Sequence, residues 1–169
     1  MATRSYVPVE VYLRSSYEPD ADYVDGEIER RPMGEFDHSS WQQAIQKWFW
    51  LHEKEWNIRV RPELRVQVAP TRFRVPDVTV LDRNQVTQQI VTVAPLAVFE
   101  VLSPEDRVQR LNRKLEDYRK MGVPQIWVID SAEEAYFRYE ARQLIRSHSF
   151  ALADRGITFE MNSIRELLD

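Results

Sequence analysis

FRVPDVTVL (residues 73–81) and LAVFEVLSPEDRVQRLNRKLEDYRKMG (residues 96–122) carry the fold of this chain. Each opens as a short, Val-rich apolar run, the pattern of a strand buried on both faces. One carboxylate interrupts each run, Asp77 in the first and Glu100 in the second. An ionised carboxylate among Val, Phe and Leu is costly unless a cation or a metal compensates it. Either acid alone is also consistent with a solvated strand end or an ordinary ion pair. The residues after Glu100 make the pair informative. Ser103-Pro104-Glu105-Asp106 reads as a helix start, with Ser103 as N-cap, Pro104 in the first turn and acids where the helix dipole favours them. Val108, Leu111, Leu115 and Tyr118 then form one apolar face, and Lys114 lies about 80° from its centre at roughly 100° per residue. Gly122 and Pro124 end the helix, and residues 126–129 read as a further buried strand. Two acids from adjacent strands and a Lys from the following helix can therefore converge on one point.

These residues resemble the PD-(D/E)XK nuclease superfamily, also called restriction-endonuclease-like. Within it they are similar to a large bacterial family of endonucleases long filed as a domain of unknown function. The likeness is carried by DYVDGEIERRPMGEFDHS (residues 22–39), RVPDVTVLD (74–82), FEVLSPEDR (99–107), the Lys114-to-Tyr118 spacing and GVPQIWVID (122–130). It covers nearly the whole chain. The resemblance implies a mixed α/β (α+β) fold whose core runs helix, three strands, helix, strand. It implies a hydrolase in which Asp77, Glu100 and Lys114 are catalytic. It also implies a divalent ion, Mg²⁺ with Mn²⁺ able to replace it, held by Asp77, Glu100 and the backbone carbonyl of Val101. There is one departure. The superfamily usually places its Lys two residues after the acid, where this chain has Leu102; Lys114 fills the role as in variants whose Lys has moved to the following helix. Gln125 stands where many relatives carry Glu.

The chemistry is consistent with that set. Phosphodiester hydrolysis needs an activated water, neutralisation of charge on the phosphorus centre, and a leaving oxygen held in line. Mg²⁺ takes oxygen ligands, typically one or two carboxylates plus waters and substrate phosphate. Lys114 would orient or deprotonate the water, or stabilise charge on the phosphate. Burial of Lys114 would lower its pKa while two neighbouring acids would raise it, and the sequence does not decide between them. Removing Asp77 or Glu100 is expected to abolish metal binding and, by relieving like-charge repulsion, to stabilise the metal-free protein.

Accessory candidates are His38, near the start of a helix, which reads either as a metal or phosphate contact or as a surface residue, and Glu63, on a charged strand face. Arg65, Arg74, Arg107 and Arg110 are candidates for contact with nucleic-acid phosphates. They belong to two basic stretches: residues 59–74, with five arginines and one acid, and residues 107–120, with six basic residues against Glu116 and Asp117. Such runs are also the ordinary appearance of solvated faces.

The totals set outer bounds. At 169 residues with 43% hydrophobic and 30% charged side chains, the sequence reads as a single nuclease-like domain over residues 1–169. With no cysteine, disulfide frameworks and thiolate metal sites are excluded. The longest apolar runs are strand-length, so no membrane partner is expected, and a cytoplasmic location is. A net charge of −4 argues against indiscriminate binding of nucleic acid. No P-loop, GxGxxG or GxSxG motif occurs, which disfavours nucleotide-dependent and serine-hydrolase chemistry.

In chain order, the spacing predicts a short helix within VPVEVYLRSS (residues 7–16) and a β-hairpin over residues 17–32 turned by Asp25-Gly26. A helix over residues 41–56 follows, capped by Asp37, Ser39 or Ser40; its Trp-rich surface suggests a homodimer. Residues 58–68 alternate as one half-exposed strand, returning through residues 73–81. After residues 126–129, two strands joined around residues 140–142, the strand ITFEM and a short helix over residues 163–168 form a C-terminal β extension. The reading is a Mg²⁺-dependent endonuclease acting on DNA. The alternatives are a nuclease-fold binding protein without turnover and an RNA-processing nuclease.

Overall fold

The computed structural model describes residues 5–168. The chain enters through α1 (Val9–Arg14) and the hairpin of β1 (Asp22–Val24) and β2 (Glu27–Glu29), followed by α2 (Phe36–Leu51) and α3 (Glu53–Trp56). Four strands come next: β3 (Ile58–Pro62), β4 (Val66–Ala69), β5 (Arg72–Arg74) and β6 (Val78–Asp82). Then β7 (Ala97–Val101), α4 (Val108–Met121) and β8 (Gln125–Asp130) complete the core. The chain closes with β9 (Ala135–Glu140), β10 (Gln143–Arg146), β11 (Ser149–Leu152), β12 (Ile157–Glu160) and α5 (Asn162–Arg165).

Six strands form the main sheet in the order β10-β9-β8-β7-β6-β3, and β2-β1-β5-β4 form a smaller one. In the main sheet β7 and β8 are parallel, as a helical crossover through α4 requires, and the other neighbours are antiparallel. The core order of helix, three strands, helix and strand is therefore present as α2, β3, β6, β7, α4 and β8. The N-terminal hairpin and the C-terminal β extension are present too.

Strand periodicity assigns the two faces of this sheet. Ala97, Phe99 and Val101 of β7 pack with Trp41, Ile45 and Phe49 of α2, and Val98 packs with Leu115 and Tyr118 of α4. Glu100 shares the parity of Val98, so it faces α4. That alternation brings a strand acid and a helix Lys together.

Two stretches that read as continuous strands are each divided between the sheets. Residues 58–68 bend at Glu63, whose φ of 51° cannot continue a strand, so β3 lies in the main sheet and β4 in the small one. Residues 73–81 break at Val75-Pro76-Asp77 for the same reason of connectivity: β5 pairs with β4 and β6 with β3. The Glu63 N–H still reaches the Asp77 carbonyl across this corner, at 3.4 Å. Asp77 thus stands at the seam between two sheets rather than within a strand.

Helix limits also shift. α2 begins at Phe36 after Glu35, with no side-chain cap, so Asp37, Ser39 and Ser40 are helical residues and not caps. α4 begins at Val108, not at Ser103. Asp106 turns back to accept the Ser103 N–H at 2.6 Å, which closes a separate turn before the helix. Val108 is 73% exposed, and the buried face of α4 is centred on Lys114, Leu115, Asp117 and Tyr118 because the small sheet covers it as well. The Asp25-Gly26 turn has φ of 49° and 96°, as a two-residue hairpin turn demands. A Cβ on Gly26 would lie 2.3 Å from the Tyr6 ring.

Candidate active site

Asp77 and Glu100 occupy opposite positions where β6 begins and β7 ends. The register pairs Val78 with Phe99, and one further step sets Asp77 across from Glu100. Both acids line a cavity of ≈ 250 Å³, as do Val101, Lys114, Asp22, Arg31, His38, Glu63 and Arg110. Asp77 and Glu100 are almost entirely buried. Their partners differ in kind.

Asp77 Oδ2 accepts the Val101 backbone N–H at 2.7 Å and faces His38 Nε2 at 3.3 Å. Its other oxygen, Oδ1, accepts Arg31 Nη2 at 2.5 Å. Burial disfavours the Asp77 charge, but the His38 bond and the charges of Arg31, His38 and Lys114 outweigh it and hold the carboxyl below its ordinary range. His38 is raised in return: the bond to Asp77 and its charge overcome the effect of burial. Its Nδ1 is buried without a hydrogen-bond partner.

Glu100 Oε1 accepts from Tyr118 Oη at 2.7 Å and from Lys114 Nζ at 3.1 Å. Here burial dominates, and with Asp77 opposite it pushes Glu100 up to about 7 despite Lys114. Lys114 Nζ also reaches the Val75 carbonyl at 3.2 Å and Asp22 Oδ2 at 3.5 Å, so its three donors have three acceptors. Burial lowers its pKa, but Asp22 and Glu100 outweigh burial and the net shift is upward. The question left open by the sequence is thereby answered in favour of the acids: Lys114 is a cation near neutral pH.

The restriction-endonuclease-like arrangement is matched by family. Residues 9–156 fit the model of the Uma2 family, described as "Putative restriction endonuclease". The chain belongs to that family. Among solved structures it is similar to the "putative nuclease belonging to DUF820 from Anabaena variabilis ATCC 29413", with 21% identity and a TM-score of 0.79 over 96% of this chain and 99% of that one. That likeness establishes the fold. A weaker match to a chain of the DrdV-DNA complex has 16% identity and a TM-score of 0.43, over 76% of this chain and 10% of that chain. A search of the curated proteins found no match.

For this Uma2-family chain, Asp77, Glu100, Lys114, His38, Glu63 and Val101 come together as one cluster, joined by three side chains that the sequence reading passed over, Arg31, Asp22 and Gln42, and by Tyr118, which read as part of the apolar helix face. Arg31 binds Asp77 and Glu63, Asp22 binds Lys114, Gln42 donates to the Asp77 carbonyl at 2.9 Å, and Tyr118 donates to Glu100. Asp22 and Arg31 lie within DYVDGEIERRPMGEFDHS, so a signal existed; what singles them out is the fold, which brings β1 to Lys114 and the segment after β2 to Asp77. Glu63 is 43% exposed and pairs with Arg31 at 3.3 Å, a second-rank acid that holds a cation.

The basic candidates divide. Arg74 is 1% exposed and locked between Asp22, Glu29 and Asp117, where β1, β2, β5 and α4 meet. It is a structural residue of the interior and offers nothing to a phosphate. Arg65 is likewise committed, to Asp20 by a two-point ion pair and to the Tyr12 and Ser15 carbonyls, with its guanidinium 4.1 Å from the Tyr12 ring. Arg107 is exposed, and Arg110 is partly exposed at the cavity beside Glu29. Gln125 is structural: it accepts from Trp127 Nε1 and donates to the Ala151 carbonyl, tying β8 to β11.

Among the described residues, no group of three or more His, Cys, Asp or Glu side chains is placed to hold a metal ion. An ion in this cavity would rest on the two carboxylates, water and substrate phosphate, a donor set that suits Mg²⁺. The two acids lie on facing strands, and Asp77 Oδ1, held by the Arg31 side chain alone, is the oxygen for which such an ion would compete. No described helix is long and apolar enough to cross a membrane.

Proposed function

We propose that the chain is a Mg²⁺-dependent endonuclease that hydrolyses phosphodiester bonds in DNA. The observation that carries this reading is the convergence of Asp77, Glu100 and Lys114, from two facing strand ends and one helix, on a single cavity. Asp77, Glu100 and the Val101 carbonyl would hold the ion, with Mn²⁺ able to replace Mg²⁺. When bound, such an ion polarises the phosphate and supplies an activated water. Lys114, charged at neutral pH, acts as a fixed cation beside the phosphate rather than as a base. Tyr118 Oη and Lys114 Nζ, both donating to Glu100 Oε1, fix the orientation of that carboxyl in the cavity. Arg110, which lines the cavity, and the exposed Arg107 just before α4 would contact the backbone of the nucleic acid. Trp50, 64% exposed on α2, supports a homodimer.

A second reading has its own support. The Asp77 oxygens are occupied by Arg31, His38 and the Val101 N–H, a charge-balanced arrangement that stands without an ion. A nuclease-fold binding protein lacking turnover would look the same. Calorimetric titration with Mg²⁺ and Mn²⁺, followed by incubation with supercoiled plasmid, separates the two. Ion binding with nicking supports the nuclease; no ion binding supports the binding protein.

A further inference from the structure

Resting on the nuclease reading, we infer that Arg31 is the substrate-phosphate ligand of this site and that, before ion and substrate arrive, it sits on the metal seat of Asp77 as a substitute cation. Four observations carry this. Asp77 is an asymmetric carboxylate. Its Oδ2 is fixed by the backbone N–H of Val101, whereas its Oδ1 is held by the side chain of Arg31. Oδ1 is therefore the oxygen that can change partners without disturbing β7. Arg31 belongs to the segment between β2 and α2, outside both sheets, so its side chain can turn without breaking a strand ladder. Its second anchor, Glu63, is partly solvated and bonds at 3.3 Å, a hold weaker than that on Asp77. Arg31 also lines the same cavity as Lys114, and a guanidinium presents a forked donor set that matches phosphate oxygens.

A divalent ion on Oδ1 and the Arg31 guanidinium, now 2.5 Å from that oxygen, would compete for it, since two cations there repel. With an ion on Asp77, Arg31 would turn from Oδ1, and a phosphodiester in the cavity would give it a new anionic partner. Arg31 thereby links ion loading to substrate loading. No bond is made or broken in this exchange.

The test uses the full chain with Mn²⁺ alone, then a short duplex oligonucleotide in Ca²⁺, with Arg31→Gln, Arg31→Lys and wild type, each checked for a native melting transition. Arg31→Gln is expected to bind Mn²⁺ at least about tenfold more tightly, because a competing cation is gone, and the oligonucleotide at least about tenfold more weakly. Arg31→Lys keeps the charge, so its Mn²⁺ affinity stays near that of wild type. Unchanged or weaker Mn²⁺ binding by Arg31→Gln, or unchanged oligonucleotide binding, overturns the inference while the nuclease reading stands. If Arg31→Gln does not fold, tighter Mn²⁺ binding by Arg31→Lys overturns it and wild-type-like Mn²⁺ binding with weakened oligonucleotide binding supports it. Wild type that binds no Mn²⁺ ends both readings together.

Discussion

The Lys114 ammonium sits 3.1 Å from Glu100 Oε1, so a helix cation and a strand acid are paired inside the fold. Both are buried, and Asp22 completes the Lys114 shell. Lys114→Ala therefore leaves two buried acids short of a cation. A loss on the order of 3 kcal/mol is expected in urea denaturation, as for other broken buried pairs. Mg²⁺ binding should persist and plasmid nicking should vanish. Retained nicking would remove Lys114 from the chemistry.

Glu100 makes the metal-free protein sensitive to pH. Its carboxyl is raised from 4.5 to about 7 in the fold, chiefly by burial. Between those values the folded chain keeps a proton that the unfolded chain releases. Its contribution to stability is fully present below about pH 4.5 and is lost as pH rises through 7. The difference is on the order of a few kcal/mol at roughly 1.4 kcal/mol per pKa unit. In chelator, wild type minus Glu100→Gln should lose stability by that order between pH 5 and pH 8. A flat difference would show that Glu100 is ionised across the range.

Arg74 and Arg107 are expected to separate structure from binding. Arg74→Met strands Asp22, Glu29 and Asp117 without their shared cation, and a loss of about 3–5 kcal/mol is expected. Arg107→Ala, at the exposed surface, should change stability by less than about 0.5 kcal/mol. It should instead lower oligonucleotide affinity and reduce its salt dependence by about one phosphate contact.

The turn between β9 and β10 offers a gain. Ala141 and Arg142 hold φ of 50° and 64° at both central positions, a conformation that suits Asn-Gly. Replacing the pair by Asn-Gly should stabilise the chain by about 1 kcal/mol, raising Tm by roughly 2–4 °C. An unchanged Tm would show that the turn is not strained.

Much of this was legible beforehand, and the limits have physical causes. Val-rich runs with a single acid located β6, β7 and the acids at their ends, and helix periodicity placed Lys114 beside them. The breaks at Glu63 and at Val75-Pro76-Asp77 were not legible, because an alternating pattern is the same whether a strand stays in one sheet or passes to another. Arg74 and Arg65 read as surface arginines for a related reason: their partners, Asp22, Asp117 and Asp20, lie 43 to 52 residues away in sequence. The expectation that losing Asp77 would stabilise the metal-free protein does not survive its surroundings. With Arg31, His38 and the Val101 N–H around it, Asp77 is favoured in the charged form, and its removal should destabilise.

The central claim is that Asp77 and Glu100 together form an ion seat. Calorimetric titration of Mn²⁺ into wild type, Asp77→Asn and Glu100→Gln tests it most directly, since both replacements keep the shape of the side chain. Saturable binding by wild type that is lost in both variants is the expected result. Wild-type affinity in either variant, with a native melting transition, would contradict it and place the ion elsewhere.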